Sequence, residues 1–237
     1  MVITKIKTTN LYYFILILIM VFISFTCSQN CDGKDKPDLK WTRNVGAKSF
    51  PRLLKIFWVN DYGAVCDGKT LCTQALQSAI DDCAAHGGGR VKFKSGRYLT
   101  GSVFIKEGVK MVIDKNVTIL GSQSIDDYPE IETRVAGIEM IWPAALINFI
   151  GQNKAAITGR GTIHAQGKPF WEKYWKMRRE EYEPKGLRWI VDYDCKRPRT
   201  ILVSRCSDIT IKNITLMQAG FWTVHVLYSE HITVDGI

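Results

Sequence analysis

Two aspartate pairs are the first residues whose spacing could do chemistry, because paired carboxylates can serve as acid and base. Asp126 and Asp127 are adjacent, so on a strand they would point to opposite faces, and the following Tyr128-Pro129 marks a loop. Asp192 and Asp194 would share one face of a strand. Because the second pair lies in an inserted stretch, we expect no catalytic role for either pair.

Short apolar runs separated by polar turns predict the elements that position such residues. After residue 147 the runs recur as pairs: Ile147–Ile150 with Ala156–Thr158, Ile201–Val203 with Ile209–Ile211, and Val224–Leu227 with Ile232–Val234. The step from Ile209 to Ile232 is 23 residues, and the step from Ile157 to Ile209 is 52 residues. The longer step contains the aromatic and charged stretch 170–196, which we interpret as a loop inserted into a regular coil.

This repetition predicts a right-handed parallel β-helix, an all-β solenoid in which each coil buries its apolar residues against the next. Residues 73–86 carry apolar side chains on one helical face and predict a short capping helix, with Thr70 as its N-cap and Gly87–Gly89 at its end. The alternative is an antiparallel sandwich, but no Asn-Gly hairpin turn occurs in the sequence.

The N-terminus predicts export from the cytoplasm. Lys5 and Lys7 precede an apolar run from Leu11 to Phe25, which is typical of a secretory signal peptide. We assign residues 1–27 to the signal peptide, 28–55 to a linker and 56–237 to a partial β-helix domain. An uncleaved membrane anchor is the alternative, and Cys27 could carry a lipid. The protein is therefore expected to be secreted, periplasmic or an outer-membrane lipoprotein.

Composition narrows the possible partners. The chain is 46% hydrophobic, which suits a folded core, and its formal charge of +9 favours acidic partners such as uronic-acid polymers, nucleic acid or an anionic membrane. Its seven cysteines form no C-x-x-C pair, so we expect neither a zinc site nor any other metal or cofactor. Export permits disulfides, and buried free thiols are the alternative.

Several motifs carry a family resemblance. The segment from Asp61 to Gly101 resembles the N-terminal cap and first coil of the pectin-degrading β-helix superfamily, which includes lyases, hydrolases and phage tailspikes. Residues 158–171, Arg197–Arg199 and Phe221–His225 are similar in order and spacing to glycoside hydrolase family 28, the polygalacturonases. The resemblance covers residues 56–237, the N-terminal portion of such an enzyme.

The resemblance implies inverting hydrolysis of galacturonan by a cluster of aspartates. In that family the aspartates lie in an Asn-Thr-Asp-Gly motif and a following Asp-Asp pair, an order of motifs that this chain lacks. We therefore expect the catalytic residues beyond Ile237 and a chain that is inactive alone. The alternatives are a non-catalytic β-helix that binds polysaccharide or acts as an adhesin, and a polysaccharide lyase.

The resemblance also implies substrate-binding residues within the chain. Trp222 and His225 lie on the coil that in the family faces the substrate groove, where an aromatic ring can pack on a sugar and an imidazole can bond a hydroxyl or carboxylate. Arg199 could bind a uronate carboxylate or form a structural ion pair. The implied partner of this monomer is acidic plant polysaccharide, pectin or galacturonan, with no nucleic acid and no membrane contact except through Cys27.

Overall fold

The computed structural model describes residues 39–51 and 55–237, which fall into two compact units with a boundary between Asn44 and Val45. In the first unit Lys40–Asn44 form a 3-10 helix. The predicted signal peptide, Cys27 and residues 28–38 and 52–54 of the predicted linker lie outside the described residues. Across the two described ranges no helix has the length and apolar character needed to cross a membrane.

Three parallel sheets build the second unit, because each coil contributes one short strand to each sheet in turn. The six-stranded sheet contains, in order, β1 (Ile56–Trp58), β3 (Gly89–Lys92), β6 (Val109–Ile113), β11 (Asn153–Gly159), β14 (Ser207–Lys212) and β17 (Glu230–Asp235). The five-stranded sheet contains β2 (Asp67–Leu71), β4 (Gly96–Thr100), β7 (Val117–Gly121), β12 (Thr162–His164) and β15 (Thr215–Met217). The four-stranded sheet contains β5 (Val103–Ile105), β10 (Ile147–Ile150), β13 (Ile201–Ser204) and β16 (Val224–Leu227).

Inward-facing residues in register form the core. In the six-stranded sheet Val91, Met111, Ile157 and Ile211 pair in one row across four strands, and each is at most 1% exposed. Every side chain in such a row is covered by the coils on both sides, so burial grows with each added coil. The predicted right-handed parallel β-helix is confirmed.

The capping helix α1 (Thr73–Ala85) buries Leu76, Ala79, Ile80 and Cys83 against the first coils. The prediction of Thr70 as its N-cap is wrong, because Cys72 holds that position and makes no side-chain capping bond. The Thr70 hydroxyl instead donates to Asp67 Oδ2 at 2.7 Å. Asp67 also accepts backbone N–H bonds from Thr70 and Lys69, which lower its pKa to about 2.

An antiparallel hairpin interrupts the coil and was not predicted from the sequence. It pairs β8 (Glu130–Val135) with β9 (Ile138–Pro143). Its turn is Ala136-Gly137, with φ angles of 47° and 92°, a left-handed backbone that Asn-Gly more often supplies. The hairpin projects from the coil between the five-stranded and four-stranded sheets, and it contributes side chains to the site described below.

The inserted stretch is helical, so its interpretation as a loop is corrected. It contains α2 (Lys168–Met177), a π-helix at Arg178–Tyr182, a 3-10 turn at Glu183–Lys185 and the one-turn helix α3 (Val191–Asp194). Asp192 and Asp194 lie in α3, so the prediction of a shared strand face is wrong. Asp126 and Asp127 lie in a 3-10 turn, in agreement with the predicted turn.

The five cysteines among the described residues are free thiols. Cys66 is exposed, and the other four are buried. The burial of Cys83 raises its pKa to about 11, which keeps the thiol protonated at neutral pH. The alternative of buried free thiols is therefore the correct one for Cys72, Cys83, Cys195 and Cys206.

The segment 45–50 lies across the six-stranded sheet. The Ala47 N–H donates to Thr233 Oγ1 at 2.9 Å, and the Lys48 N–H donates to Asp208 Oδ1 at 2.6 Å. Farther along the segment, Lys110 Nζ lies 4.9 Å from the centre of the Phe50 ring. The segment therefore contacts both the last coils and an early one.

Candidate functional site

The three predicted binding residues come together where β13 and β16 begin. The two strands pair in parallel, with Leu202 beside His225. Just before the strands, the Thr200 N–H donates to the Trp222 carbonyl at 3.0 Å. Arg199, Trp222 and His225 therefore occupy neighbouring coils at one corner, although 26 residues separate Arg199 from His225 in the chain.

Arg199 is fully buried at this corner. Its Nη1 donates to Thr133 Oγ1 of the hairpin at 3.1 Å and to His225 Nδ1 at 3.0 Å. No ion pair joins it to a carboxylate of residues 39–51 or 55–237, and its Nε and Nη2 lack hydrogen-bond partners. Burial lowers the pKa of Arg199 to about 10, so the guanidinium remains a cation at neutral pH. The arginine is therefore neither ion-paired nor open to solvent.

The contact with Arg199 determines the tautomer and the charge of His225. Guanidinium nitrogens only donate, so His225 Nδ1 must accept, and the imidazole proton resides on Nε2. Burial and the positive charge of Arg199 lower the pKa of His225 to about 4. At neutral pH His225 is therefore an uncharged donor through Nε2, held in a single tautomer.

Stacked aromatic rings extend the site beyond His225. The Trp222 ring meets the His225 ring edge to face at 4.5 Å, and the Phe221 ring stacks on Trp222 at 4.4 Å. Trp142 of the hairpin lies 5.6 Å from Phe221 and donates through Nε1 to the Arg197 carbonyl at 2.8 Å. We call Trp142, Phe221, Trp222 and His225 the aromatic cluster. Its rings hold one another in place and leave Phe221 and Trp222 partly exposed.

A cavity of about 400 Å³ opens beside the aromatic cluster. It is lined by Val135, Ala136, Trp189, Asp192, Tyr193, Phe221 and Trp222. Asp192 is the carboxylate in this lining, and its Oδ1 accepts from Arg197 Nη2 at 2.9 Å. Aromatic faces combined with a few polar groups suit a sugar, since such faces pack against C–H surfaces.

Sequence reasoning missed part of this lining. Of the aromatic residues in the inserted stretch, Trp189 lines the cavity, whereas Tyr174 is buried in a small core with Val191 and Cys195. Phe221 and Tyr193 were not singled out. The proximity of Phe221 to Trp222 was the available signal, and nothing local marked Thr133. Among the described residues no group of His, Cys, Asp and Glu could hold a metal ion.

Comparison with known proteins shows what the chain resembles. No protein-family model matches it. The protein named "Probable polygalacturonase" from Vitis vinifera is 29% identical over 186 residues, which are 75% of this chain and 35% of that protein. The exo-poly-alpha-D-galacturonosidase of Dickeya chrysanthemi is 33% identical over 121 residues, 48% of this chain and 20% of that protein. The chain thus spans about a third or less of these relatives.

A solved structure gives the same picture of the fold. The Family 28 exopolygalacturonase of Yersinia enterocolitica superimposes with a TM-score of 0.62 at 24% identity, covering 77% of this chain and 38% of that one. This structure supports the fold, and the two sequence relatives supply the resemblance to polygalacturonases. The chain is therefore polygalacturonase-like, similar to glycoside hydrolase family 28 and built on a parallel β-helix.

Proposed function

We propose that this chain belongs to an enzyme that hydrolyses glycosidic bonds in pectic polysaccharide, with galacturonan as its substrate. The similarity to two curated proteins named for galacturonan hydrolysis carries the proposal. The cavity beside the aromatic cluster supports it, because aromatic rings line it and Asp192, the carboxylate in its lining, is paired with Arg197. On this proposal the chain supplies the cap, the early coils and one wall of the substrate groove.

Each predicted residue then has a specific role. The partly exposed Trp222 ring packs against a sugar ring, and His225 donates from Nε2 to a sugar hydroxyl or carboxylate. Arg199 is a positioning residue. Its guanidinium is buried and does not touch the ligand, and it acts by fixing the tautomer of His225. Direct pairing of Arg199 with a uronate requires the hairpin to move away from it.

The reaction itself needs carboxylates that this wall does not provide. In an inverting glycosidase one carboxylic acid protonates the leaving oxygen while another carboxylate activates water on the opposite face. The one carboxylate lining the cavity, Asp192, is already paired with Arg197. We propose that the reacting aspartates follow Ile237 in the gene product and that the 237-residue chain binds substrate without cleaving it.

The test is a reducing-end assay on polygalacturonate with the complete gene product and, in parallel, with the 237-residue chain. We expect reducing ends from the complete product alone, without the absorbance of an unsaturated sugar. Unsaturated product would identify a lyase. A complete gene product that binds polygalacturonate but never cleaves it would overturn the hydrolase proposal and leave a binding protein or adhesin.

We further propose that the protein is an exported monomer whose residues 1–27 are removed. The apolar run after Lys5 and Lys7 supports export. N-terminal sequencing of the mature protein tests cleavage after residue 27, and labelling with a radioactive fatty acid tests the alternative in which Cys27 is retained and carries a lipid. A mature chain that retains Lys5 would contradict the proposal.

A further inference from the structure

A second groove lies on the other side of the coil, at the corner where the six-stranded sheet passes into the five-stranded sheet. Its volume is about 680 Å³. Four cations line it, namely Lys110, Lys115, Arg160 and Lys212. We call it the basic groove. It shares no lining residue with the cavity beside Trp222.

The cations of the basic groove occupy successive coils. Lys115 follows β6, Arg160 follows β11 and Lys212 ends β14, and these three strands are neighbours in register. Neighbouring strands lie about 4.8 Å apart, so three successive coils each supply one cation, at staggered positions because Lys212 lies in register with Thr158 and not with Arg160. A linear ligand that lies along the axis meets one cation per coil.

Three of the four cations lack a counter-ion in the described part of the chain. Lys212 pairs with Asp235 at 2.7 Å, and the one acidic residue in the lining, Asp114, pairs with Lys92 at 3.0 Å. Lys110, Lys115 and Arg160 form no ion pair with any described residue. The groove therefore carries a net positive charge that the fold leaves uncompensated.

Like charges also face each other on the sheet beside the groove. Lys110 pairs in register with Arg90, an arrangement that destabilises a sheet. Burial and the charge of Arg90 lower the pKa of Lys110, and Arg90 Nε is buried without a hydrogen-bond partner among residues 39–51 and 55–237. An anion in the groove would relieve this repulsion.

We propose that the basic groove binds a linear acidic polysaccharide along the coil axis, at a site separate from the proposed substrate wall. Asn116, Thr158 and Asn213 supply amide and hydroxyl groups for sugar hydroxyls. Single-stranded nucleic acid is disfavoured, because such sites stack bases on aromatic rings, and the one ring here, Phe50, is covered by Lys110. The inference stands on this geometry and does not depend on the hydrolase proposal.

The test measures binding of a fluorescent oligogalacturonate by anisotropy, in a Trp222→Ala background that weakens the other site. Adding Lys115→Gln and Arg160→Gln should weaken binding about tenfold, equivalent to about 1.4 kcal/mol. The matched control is Lys176→Gln with Arg179→Gln, which removes two exposed charges from the inserted stretch, outside the lining of both the basic groove and the cavity. That control should change affinity by less than about twofold, since distant charges are screened. Circular dichroism verifies that each variant is folded.

Three outcomes would overturn the proposal. Equal losses in the two double variants would mean attraction by net charge alone. Binding of a single-stranded oligothymidylate as tight as that of the uronate would mean a nonselective anionic surface. Affinity that disappears with Trp222→Ala and ignores the groove variants would place all binding at the aromatic cluster. Inactivity of the complete gene product on polygalacturonate would leave the groove result unchanged, so the two proposals fail separately.

Discussion

Arg199 beside the aromatic cluster and Arg160 in the basic groove both lack an ion pair with any described residue, but Arg199 is buried and Arg160 is exposed to solvent. Arg199 is 0% exposed and points at a histidine and a threonine, whereas Arg160 stands exposed in a turn. A buried cation without a carboxylate polarises and orients its neighbours, while an exposed cation without one attracts a mobile anion. Burial thus decides whether an unpaired arginine organises a site or recruits a ligand.

The largest expected difference between the two regions is in stability. Arg199→Ala should lower the free energy of unfolding by about 3 kcal/mol, because it empties a fully buried volume beside Thr133 and His225. Arg199→Met should stay within about 1 kcal/mol of wild type, since it fills the space and removes an uncompensated buried charge. Arg160→Ala should stay within about 0.5 kcal/mol. Urea unfolding measures all three, and equal losses for the two alanine variants would contradict the comparison.

The next difference concerns the sugar-binding surfaces. Trp222→Ala should weaken oligogalacturonate binding about tenfold, because the stacked ring is the exposed face of the aromatic cluster. Trp41→Ala removes an equally large exposed ring from the first unit and serves as the control. Titration calorimetry should find the control within about twofold of wild type. A Trp222→Ala variant with undiminished affinity would remove the aromatic cluster from substrate binding.

The titration of His225 tests the influence of Arg199 directly. Nuclear magnetic resonance should find a His225 pKa of about 4, and Arg199→Met should raise it because the neighbouring cation is gone. Arg160→Gln should leave it unchanged. Since the folded pKa lies below the unfolded value of about 6.5, the unfolded chain binds the proton first. The contribution of His225 to stability is therefore lost as pH falls from about 6.5 to about 4.

The smallest expected effect lies in the basic groove. Lys110→Gln should raise the free energy of unfolding by about 0.5 kcal/mol, because it relieves repulsion with Arg90 and the partial burial of a charge. Loss of the contact with Phe50 opposes this gain. Lys69→Gln is the matched control, because no described cation pairs in register with Lys69. A clear loss of stability for Lys110→Gln would show that the repulsion between Lys110 and Arg90 is already offset by other interactions of Lys110.

Much of the fold was predictable because a coil repeats its own pattern. The step of 23 residues indicated the repeat of the strands, and 23 residues also separate Arg199 from Trp222, which places them on successive coils. Their meeting at one corner was not predicted. The hairpin at 130–143 is not part of the 23-residue repeat, and its Ala136-Gly137 turn is a weak sequence signal for a hairpin. The burial of Arg199 therefore could not be foreseen, since the hairpin residue Thr133 helps to enclose it.

The inserted stretch failed prediction for a different reason. Its charged and aromatic residues follow neither the coil step nor a clean strand alternation, so Asp192 and Asp194 were assigned to a strand face. In α3 the two carboxylates have different partners. Asp192 pairs with Arg197, and Asp194 accepts a hydrogen bond from the Tyr182 hydroxyl at 2.6 Å. Local alternation alone could not distinguish one helical turn from a short strand.

The segment 45–50 changes how this solenoid should fold. Coils that touch only their neighbours can form in sequence, each nearly independent of distant ones. The bond from Ala47 to Thr233 spans 186 residues, so it can form only after the coil that contains β17 is in place. Unfolding of the segment 45–50 and unfolding of the β17 coil should therefore be coupled, although the two lie far apart in sequence.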